Sequence, residues 1–257
     1  MQLAANPFAA ALTAGRKQVG LWISLASNFS AEVVAPAGYD WALIDMEHSP
    51  NDYFSTLGQL QAFAASDTTA IVRVEWNDPV AVKRLLDLGA PGLLFPMIQT
   101  VEEARRAVAA TRYPPNGTRG VSGATRATKF GRISDYTARV EAETAVLLQL
   151  ETRASVEQAE AIADVDGVSG IFFGPADIAA DIGKLGKPMD PEVWALIKPA
   201  AQKLIAKGVP VGTLVLDPGF ATELLNEGFT FVACGTDALI LARGADALLA
   251  QVRGGMA

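Results

Sequence analysis

The sequence predicts an α/β chain folded as a (β/α)8, or TIM, barrel, with residues 1–257 forming one domain. Three observations lead there. The length of 257 residues matches the roughly 250 typical of that barrel and is too short for two ordinary α/β domains and a linker. Short apolar runs alternate with longer amphipathic stretches along the whole chain, as they do when helices wrap a parallel sheet. The apolar runs are nearly continuous in Val, Ile, Leu and Phe, which is how strands buried on both faces read.

The N-terminal MQLAANPFAAALTAGRK lacks a charged segment followed by a long apolar one, so it reads as a first helix rather than a leader. Strands are then predicted at Gln18–Leu25, Trp41–Glu47, Thr69–Val74, Gly92–Ile98, Ala145–Glu151, Ser169–Gly174, Pro210–Val215 and Phe231–Gly235. Between and after them run helices at Ser30–Ala37, Asp52–Ala65, Pro79–Leu88, Thr100–Thr111, Ser155–Ala163, Pro191–Lys207, Pro218–Asn226 and Asp237–Arg253. Asp78-Pro79 is a start signal, and Gly89, Gly208 and Gly228 are stop signals. An open doubly wound sheet would carry a glycine-rich turn after its first strand, and LWISLASNFS has none. Tyr113–Arg132 breaks the rhythm: it is rich in Pro, Gly, Thr and basic residues, without periodicity. Loops of about twenty residues are uncommon in compact domains and are often functional, although a mobile surface loop is the plainer reading.

Composition excludes several classes. The balance of 21 Lys+Arg against 28 Asp+Glu gives a net charge of −7. Such a surface repels nucleic-acid phosphates and anionic membranes, so neither is expected as a partner. Hydrophobic residues make up 50% of the chain, enough for a large core and too many for disorder. Cys234 is the only cysteine, so no intramolecular disulfide can form. No apolar run reaches the roughly 20 residues of a membrane span, and a cytoplasmic location is expected.

In this fold the active site lies at the C-terminal strand ends, and those positions are rich in polar groups. The second strand ends Asp45-Met46-Glu47-His48, the third Arg73-Val74-Glu75 and the fifth Gln149-Leu150-Glu151, while the sixth runs into Gly174-Pro175-Ala176-Asp177. His48 is the only histidine. Its place beside two acids favours a general base working near neutral pH over a solvated surface residue. Glu151 and Asp177 are candidate ligands for a hard divalent cation, which takes carboxylate oxygens and fills its octahedron with water and substrate. The plainer readings are a salt bridge from Glu151 to Arg153 or Arg73, and Asp177 as an N-cap. A histidine-rich zinc site is excluded, because one histidine cannot supply it. Arg73 closes an otherwise apolar strand and must find an anion there, either a substrate oxygen or Glu47. All the lysines fall outside predicted strand ends, so a Schiff-base mechanism lacks its nucleophile and carbonyl activation should pass to a metal. Gly235 before Thr236-Asp237 could bind phosphate but is equally a tight helix start, and Cys234 reads as core.

Together these segments resemble the HpcH/HpaI family of class II pyruvate aldolases, the 4-hydroxy-2-oxoheptanedioate and 2-keto-3-deoxy-sugar-acid aldolases. The likeness covers nearly the whole chain. It is carried by LIDMEHSPND (43–52), IVRVEWNDP (71–79), LLDLGAPGLLFPMIQT (85–100), YPPNGTRGVSG (113–123), LLQLET (147–152) and FFGPADIAADIG (172–183). The resemblance implies His48 as proton acceptor, Arg73 as stabiliser of the developing enolate, and Glu151 and Asp177 as ligands of Mg²⁺, Mn²⁺ or Co²⁺. It implies that Gln149 and the Ala176–Asp177 backbone hold pyruvate, that Asp87 raises the basicity of His48, and that the assembly is a hexamer.

Asp87 sits where a helix dipole disfavours an acid, at the barrel end remote from its own His48. The expectation is that Asp87, with loop 113–132 and its Arg119 and Arg126, serves the site of a neighbouring subunit in a homo-oligomer. A solvated helix-end acid is the plainer alternative. The expected partners are pyruvate and an aldehyde. The rival functions are a phosphosugar isomerase or epimerase, which needs phosphate sites after the last two strands, and a non-catalytic barrel that binds a small carboxylate.

Overall fold

Inside a closed parallel barrel every strand is flanked by two others, and the strand sequences show why this one closes. The computed structural model describes residues 1–255. Its strands are β1 (Gln18–Ile23), β2 (Trp41–Asp45), β3 (Thr69–Arg73), β4 (Gly92–Phe95), β5 (Ala145–Leu150), β6 (Gly170–Phe173), β7 (Val211–Val215) and β8 (Phe231–Thr236). They pair in order, and β8 pairs back onto β1. The helices are α1 (Pro7–Thr13), α2 (Asn28–Val34), α3 (Tyr53–Phe63), α4 (Pro79–Leu88), α5 (Val101–Thr111), α6 (Tyr136–Glu143), α7 (Arg153–Glu157), α8 (Ala159–Ala163), α9 (Pro175–Asp181), α10 (Pro191–Ala206), α11 (Pro218–Asn226) and α12 (Asp237–Gly254).

Two layers of apolar side chains follow from the strand period of two. One faces outward to the helices, from Leu21, Ile23, Ala42 and Ile44 round to Val232. The other fills the barrel with Trp22, Trp41, Leu43, Ile71, Leu94, Leu147, Phe172 and Phe231. Space for those rings comes from small residues opposite them: a Cβ on Gly20 would run into the Trp41 indole, and one on Gly212 into the Phe231 ring. At the N-terminal end, Asn6 caps α1 by accepting the Phe8 and Ala9 N–H groups, and α1 drives Phe8 and Leu12 into the barrel floor. Phe8 meets Phe231 edge-on at 5.9 Å and Trp41 at 5.6 Å. The lower half of the barrel interior is therefore plugged, and the interior opens toward the C-terminal strand ends.

The predicted strands all form, each ending one or more residues early or starting one late except β8, which runs one residue further, because Met46–His48 and Val74–Glu75 leave the ladder for loops. Two helices were not anticipated. In α6 only Tyr136 and Val140 are buried, so its stripe is too narrow to show as an amphipathic period. In α9, Pro175 occupies the first turn, where its fixed φ suits a helix start; beside Gly174 it reads as a turn. The segment expected as Ser155–Ala163 divides at Gln158 into α7 and α8.

The last helix is joined to the barrel through its first residue. Asp237 is buried, its Oδ1 accepting from the Ser24 and Ala238 N–H groups and the Ser24 hydroxyl, and its Oδ2 from the Leu25 N–H. Beyond it, Ile240, Leu241, Leu248, Leu249 and Val252 all stand exposed. Among the described residues no helix is long and apolar enough to cross a membrane.

Candidate active site

The open end of the barrel holds a cavity of about 660 Å³, lined among others by Trp22, His48, Arg73, Gln149, Phe172, Ala176, Asp177, Leu214 and Arg243. Among the described residues no lysine lines it.

On one side, the parallel register sets Asp45, the last residue of β2, opposite Arg73, the last residue of β3. Both are buried. Arg73 Nε donates to Asp45 Oδ1 at 2.8 Å and Nη2 to Oδ2 at 2.6 Å. Its Nη1 lies 2.7 Å from Glu47 Oε2, an ion pair by distance that lacks hydrogen-bond alignment. The guanidinium carbon sits 4.9 Å from the Trp22 ring centroid, and the Trp22 indole N–H donates to Asp45 Oδ2 at 3.2 Å. Burial works against the charge on Asp45, but the Arg73 bonds and charge win and hold its carboxyl below the usual range. Glu47 is shifted upward: burial dominates and is only partly offset by the charges of Arg73 and His48, with Asp45 and Asp177 adding smaller repulsions.

Glu151 lies deeper, 2% exposed just past β5. Its Oε2 accepts the Met97 N–H at 2.7 Å, and its Oε1 accepts from Gln149 Nε2 at 2.7 Å. Met97 is held at φ 52°, a left-handed conformation that costs a non-glycine residue of the order of 1–3 kcal/mol. That strain aims an N–H at the carboxylate. Among the described residues no cation pairs with Glu151, so neither bridge of the plainer reading, to Arg153 or to Arg73, is formed. Burial raises its pKa to about 8, with the charges of Glu47 and Asp177 adding to the rise. The Oε1 of Gln149 beside it is buried without a partner. Gly174 makes this arrangement possible, because a Cβ there would lie 2.8 Å from Glu151 Cγ and 3.1 Å from Gln149 Nε2.

Asp177 is exposed, in the first turn of α9, whose N-cap is Gly174. The plainer N-cap reading is therefore not the role Asp177 fills, and its carboxylate is left to the cavity and to Glu151. Ala176 lines the cavity in the same turn. His48 stands at the rim, its side chain 66% exposed and its Nε2 3.9 Å from Glu47 Oε1.

Asp87, one of the residues predicted for the site, lies away from the cavity. It lies at the opposite end of the barrel, in the last turn of α4, paired with Arg119 of its own chain. Arg119 and Arg126, expected with the loop to serve a neighbouring subunit's site, are bonded within their own chain, Arg119 buried and Arg126 half-buried. Arg119 is 1% exposed, and Arg126 Nη1 donates to Leu88 O at 2.6 Å. A carbonyl at a helix C-terminus lacks an intrahelical donor, which is what draws the guanidinium inward. At β8, Thr236 caps α12 through the Leu239 N–H. Cys234 is half-buried with its thiol pKa raised by burial, which keeps it protonated.

Sequence reasoning placed Asp45 and Gly174 at the strand ends without giving them a role, and missed Trp22 and the Met97 N–H as parts of this site. Asp45 left a signal, as an acid at the end of an otherwise apolar strand one strand away from an arginine in the same position. The Met97 N–H left none.

The model of the HpcH/HpaI aldolase/citrate lyase family matches residues 18–243. The chain is 50% identical over 251 residues to the pyruvate aldolase of Rhizobium etli, covering 98% of this chain and 99% of that protein. It is 50% identical over 247 residues to the 4-hydroxy-2-oxo-heptane-1,7-dioate aldolase of Salmonella dublin, covering 96% and 94%. A crystal structure of an HpcH/HpaI aldolase/citrate lyase family protein from Burkholderia cenocepacia superposes with a TM-score of 0.94 at 39% identity, covering 97% of this chain and 100% of that one.

Proposed function

The chain belongs to the HpcH/HpaI aldolase/citrate lyase family, and from that membership and the cavity's chemistry we propose that it is a class II pyruvate aldolase. It cleaves 4-hydroxy-2-oxoacids reversibly to pyruvate and an aldehyde, with a divalent cation held by Glu151 and Asp177.

The observation that carries the metal reading is Glu151 itself. A buried carboxylate with no protein cation, a second carboxylate close enough to raise its pKa, and an orphaned amide oxygen on Gln149 form a set of hard oxygen donors. Among the described residues no three His, Cys, Asp or Glu side chains gather into a full cage. The set fits a cation that keeps part of its shell for water and substrate, as Mg²⁺, Mn²⁺ and Co²⁺ do. Bound there, such an ion supplies Lewis acidity to the keto oxygen of the substrate.

The remaining work falls to side chains. Cleavage breaks the C3–C4 bond of the adduct. The 4-hydroxyl proton passes to His48, the C4–O bond becomes the aldehyde carbonyl, and the C3–C4 electron pair moves into the pyruvate enolate. Arg73, fixed by Asp45 and always charged, faces that enolate as a preorganised cation. Gln149 and the Ala176–Asp177 backbone hold the pyruvate carboxylate and oxygen. A proton returned to C3 releases pyruvate. Among the described residues no lysine lines the cavity, which argues against the Schiff-base alternative.

The protein acts as a homo-oligomer, a hexamer on the family resemblance, in which Asp87 raises the basicity of a neighbouring subunit's His48. The exposed apolar residues of α12 support an assembled state, since several large apolar side chains exposed along one helix are what an interaction surface presents.

The test is pyruvate release from a panel of 4-hydroxy-2-oxoacids. Activity should disappear in chelator and return with Mg²⁺, Mn²⁺ or Co²⁺, and His48→Ala should lower kcat by ~10²–10⁴ with the metal still bound. Full activity in excess EDTA would sink the metal mechanism, and no pyruvate from any panel member would sink the aldolase reading. Borohydride with pyruvate should leave no adduct.

A further inference from the structure

Loop 112–135 is spent largely on one helix end. The last turn of α4 carries the negative pole of its dipole, and Asp87 adds a carboxylate where the dipole disfavours one. Two guanidiniums answer. Arg126 takes the Leu88 carbonyl, while Arg119 Nη2 donates to Asp87 Oδ1 at 2.9 Å. They are built differently. The Arg119 side chain has no exposure; its carbon lies 4.6 Å from the Tyr113 ring centroid, and Nη2 also reaches the Tyr136 hydroxyl at 3.3 Å. Its Nε and Nη1 are buried without partners. Leaving N–H groups of a buried cation unsatisfied is costly, and an exposed lysine would neutralise Asp87 without that cost. Neutralisation alone does not explain the arrangement.

Immobilisation does. Wedged between two tyrosines, Arg119 cannot follow a moving carboxylate, so Asp87 is held at Oδ1. Asp87 itself is 23% exposed, and its Oδ2 has no partner among the described residues. The chain thus presents one free carboxylate oxygen at its surface, in a fixed place.

We propose that Arg119 is a positioning residue, which anchors Asp87 between Tyr113 and Tyr136 so that the free oxygen of Asp87 meets the His48 imidazole of a second copy of this chain. The proposal rests on the reading that Asp87 serves a neighbouring subunit's site, and the experiment separates the two. Retro-aldol kinetics are measured on the assembled, metal-loaded enzyme for Arg119→Met, Asp87→Asn and the double variant, with thermal melts of each. A misplaced group remote from the chemistry can cost about 10²-fold, so Arg119→Met should lower kcat by about that factor with KM unchanged. In the Asp87→Asn background the same substitution should cost nothing further, since residues that act through one another are non-additive. A purely structural arginine would cost the same factor in both backgrounds, and that outcome overturns the proposal while leaving the role of Asp87 intact. Wild-type kcat in Asp87→Asn would overturn the reading beneath it. Should Arg119→Met fail to fold, Arg119→Lys keeps the charge but lacks the fork. The same cycle then applies: a kcat loss confined to the Asp87 background supports positioning, and an equal loss or none refutes it.

Discussion

Asp45 and Arg73 are register partners at the ends of adjacent strands, and their side chains close a two-bond fork at 2.8 and 2.6 Å. The fork is a product of backbone pairing, so the cation facing the cavity is as rigid as the barrel wall. Asp45→Asn keeps the shape and removes the charge. It should lower kcat/KM by about 10²-fold through a misplaced Arg73, and stability by about 1.5–3 kcal/mol, the worth of a hydrogen bond to a charged group. Steady-state kinetics and urea titration check both. The Asp45 pKa is depressed in the folded state, so its contribution is fully present at neutral pH and is lost as pH falls below the carboxylate range. The variant should lack that acid-side loss.

Glu151 runs the other way. Its folded pKa of about 8 stands above the ordinary 4.5, so the native state binds a proton that the unfolded chain releases. Stability of the chelated protein should therefore be greatest below pH 4.5 on this group's account and fall as pH rises toward 8. Glu151→Gln should flatten that slope in denaturant titrations across pH. A slope unchanged by the substitution would mean that Glu151 is ionised without cost. Metal addition at neutral pH should release a proton, readable by calorimetry in buffers of different ionisation enthalpy.

Gly174→Ala tests the cradle. The added methyl would meet Glu151 and Gln149 at 2.8–3.1 Å, closer than a Cβ tolerates. Metal affinity should drop about 10- to 100-fold, the usual effect of disturbing a ligand's supporting groups, while the circular dichroism spectrum stays that of the wild type. Affinity equal to wild type would show that Glu151 does not depend on this space.

The apolar residues of α12 should be covered in solution. Leu241→Glu with Leu248→Glu, both exposed in the isolated chain, should shift the sedimentation profile toward smaller species. Wild-type assembly in that variant would place the interface elsewhere.

How much of this was legible in the sequence depended on whether the signal lay in a side chain or in a pairing. The barrel strands announced themselves, because burial on both faces leaves runs such as Ala145–Leu148 without polar interruption. Glu151, Arg73 and Asp177 stood out for the same reason, as charges where apolar runs stop. Asp45 lay beside them with no role assigned, since only the β2–β3 register reveals that it faces Arg73. Met97 acts through a backbone N–H at positive φ, and nothing in a methionine foretells that. Arg119 read as one more loop cation until burial set it apart. Helix α6 went unseen because Tyr136 and Val140 alone carry its buried face.

The plug of Phe8 and Leu12 in the barrel floor gives the cavity a single door. Whatever sits against Gln149 and Glu151 must pass His48 and the rim to reach them, and must pass them again to leave. An aldolase with such a vestibule should follow an ordered scheme, the donor that settles at depth entering ahead of the acceptor and departing behind it, and product-inhibition kinetics check this. Two side chains at the far end of the molecule would then set that order from a distance.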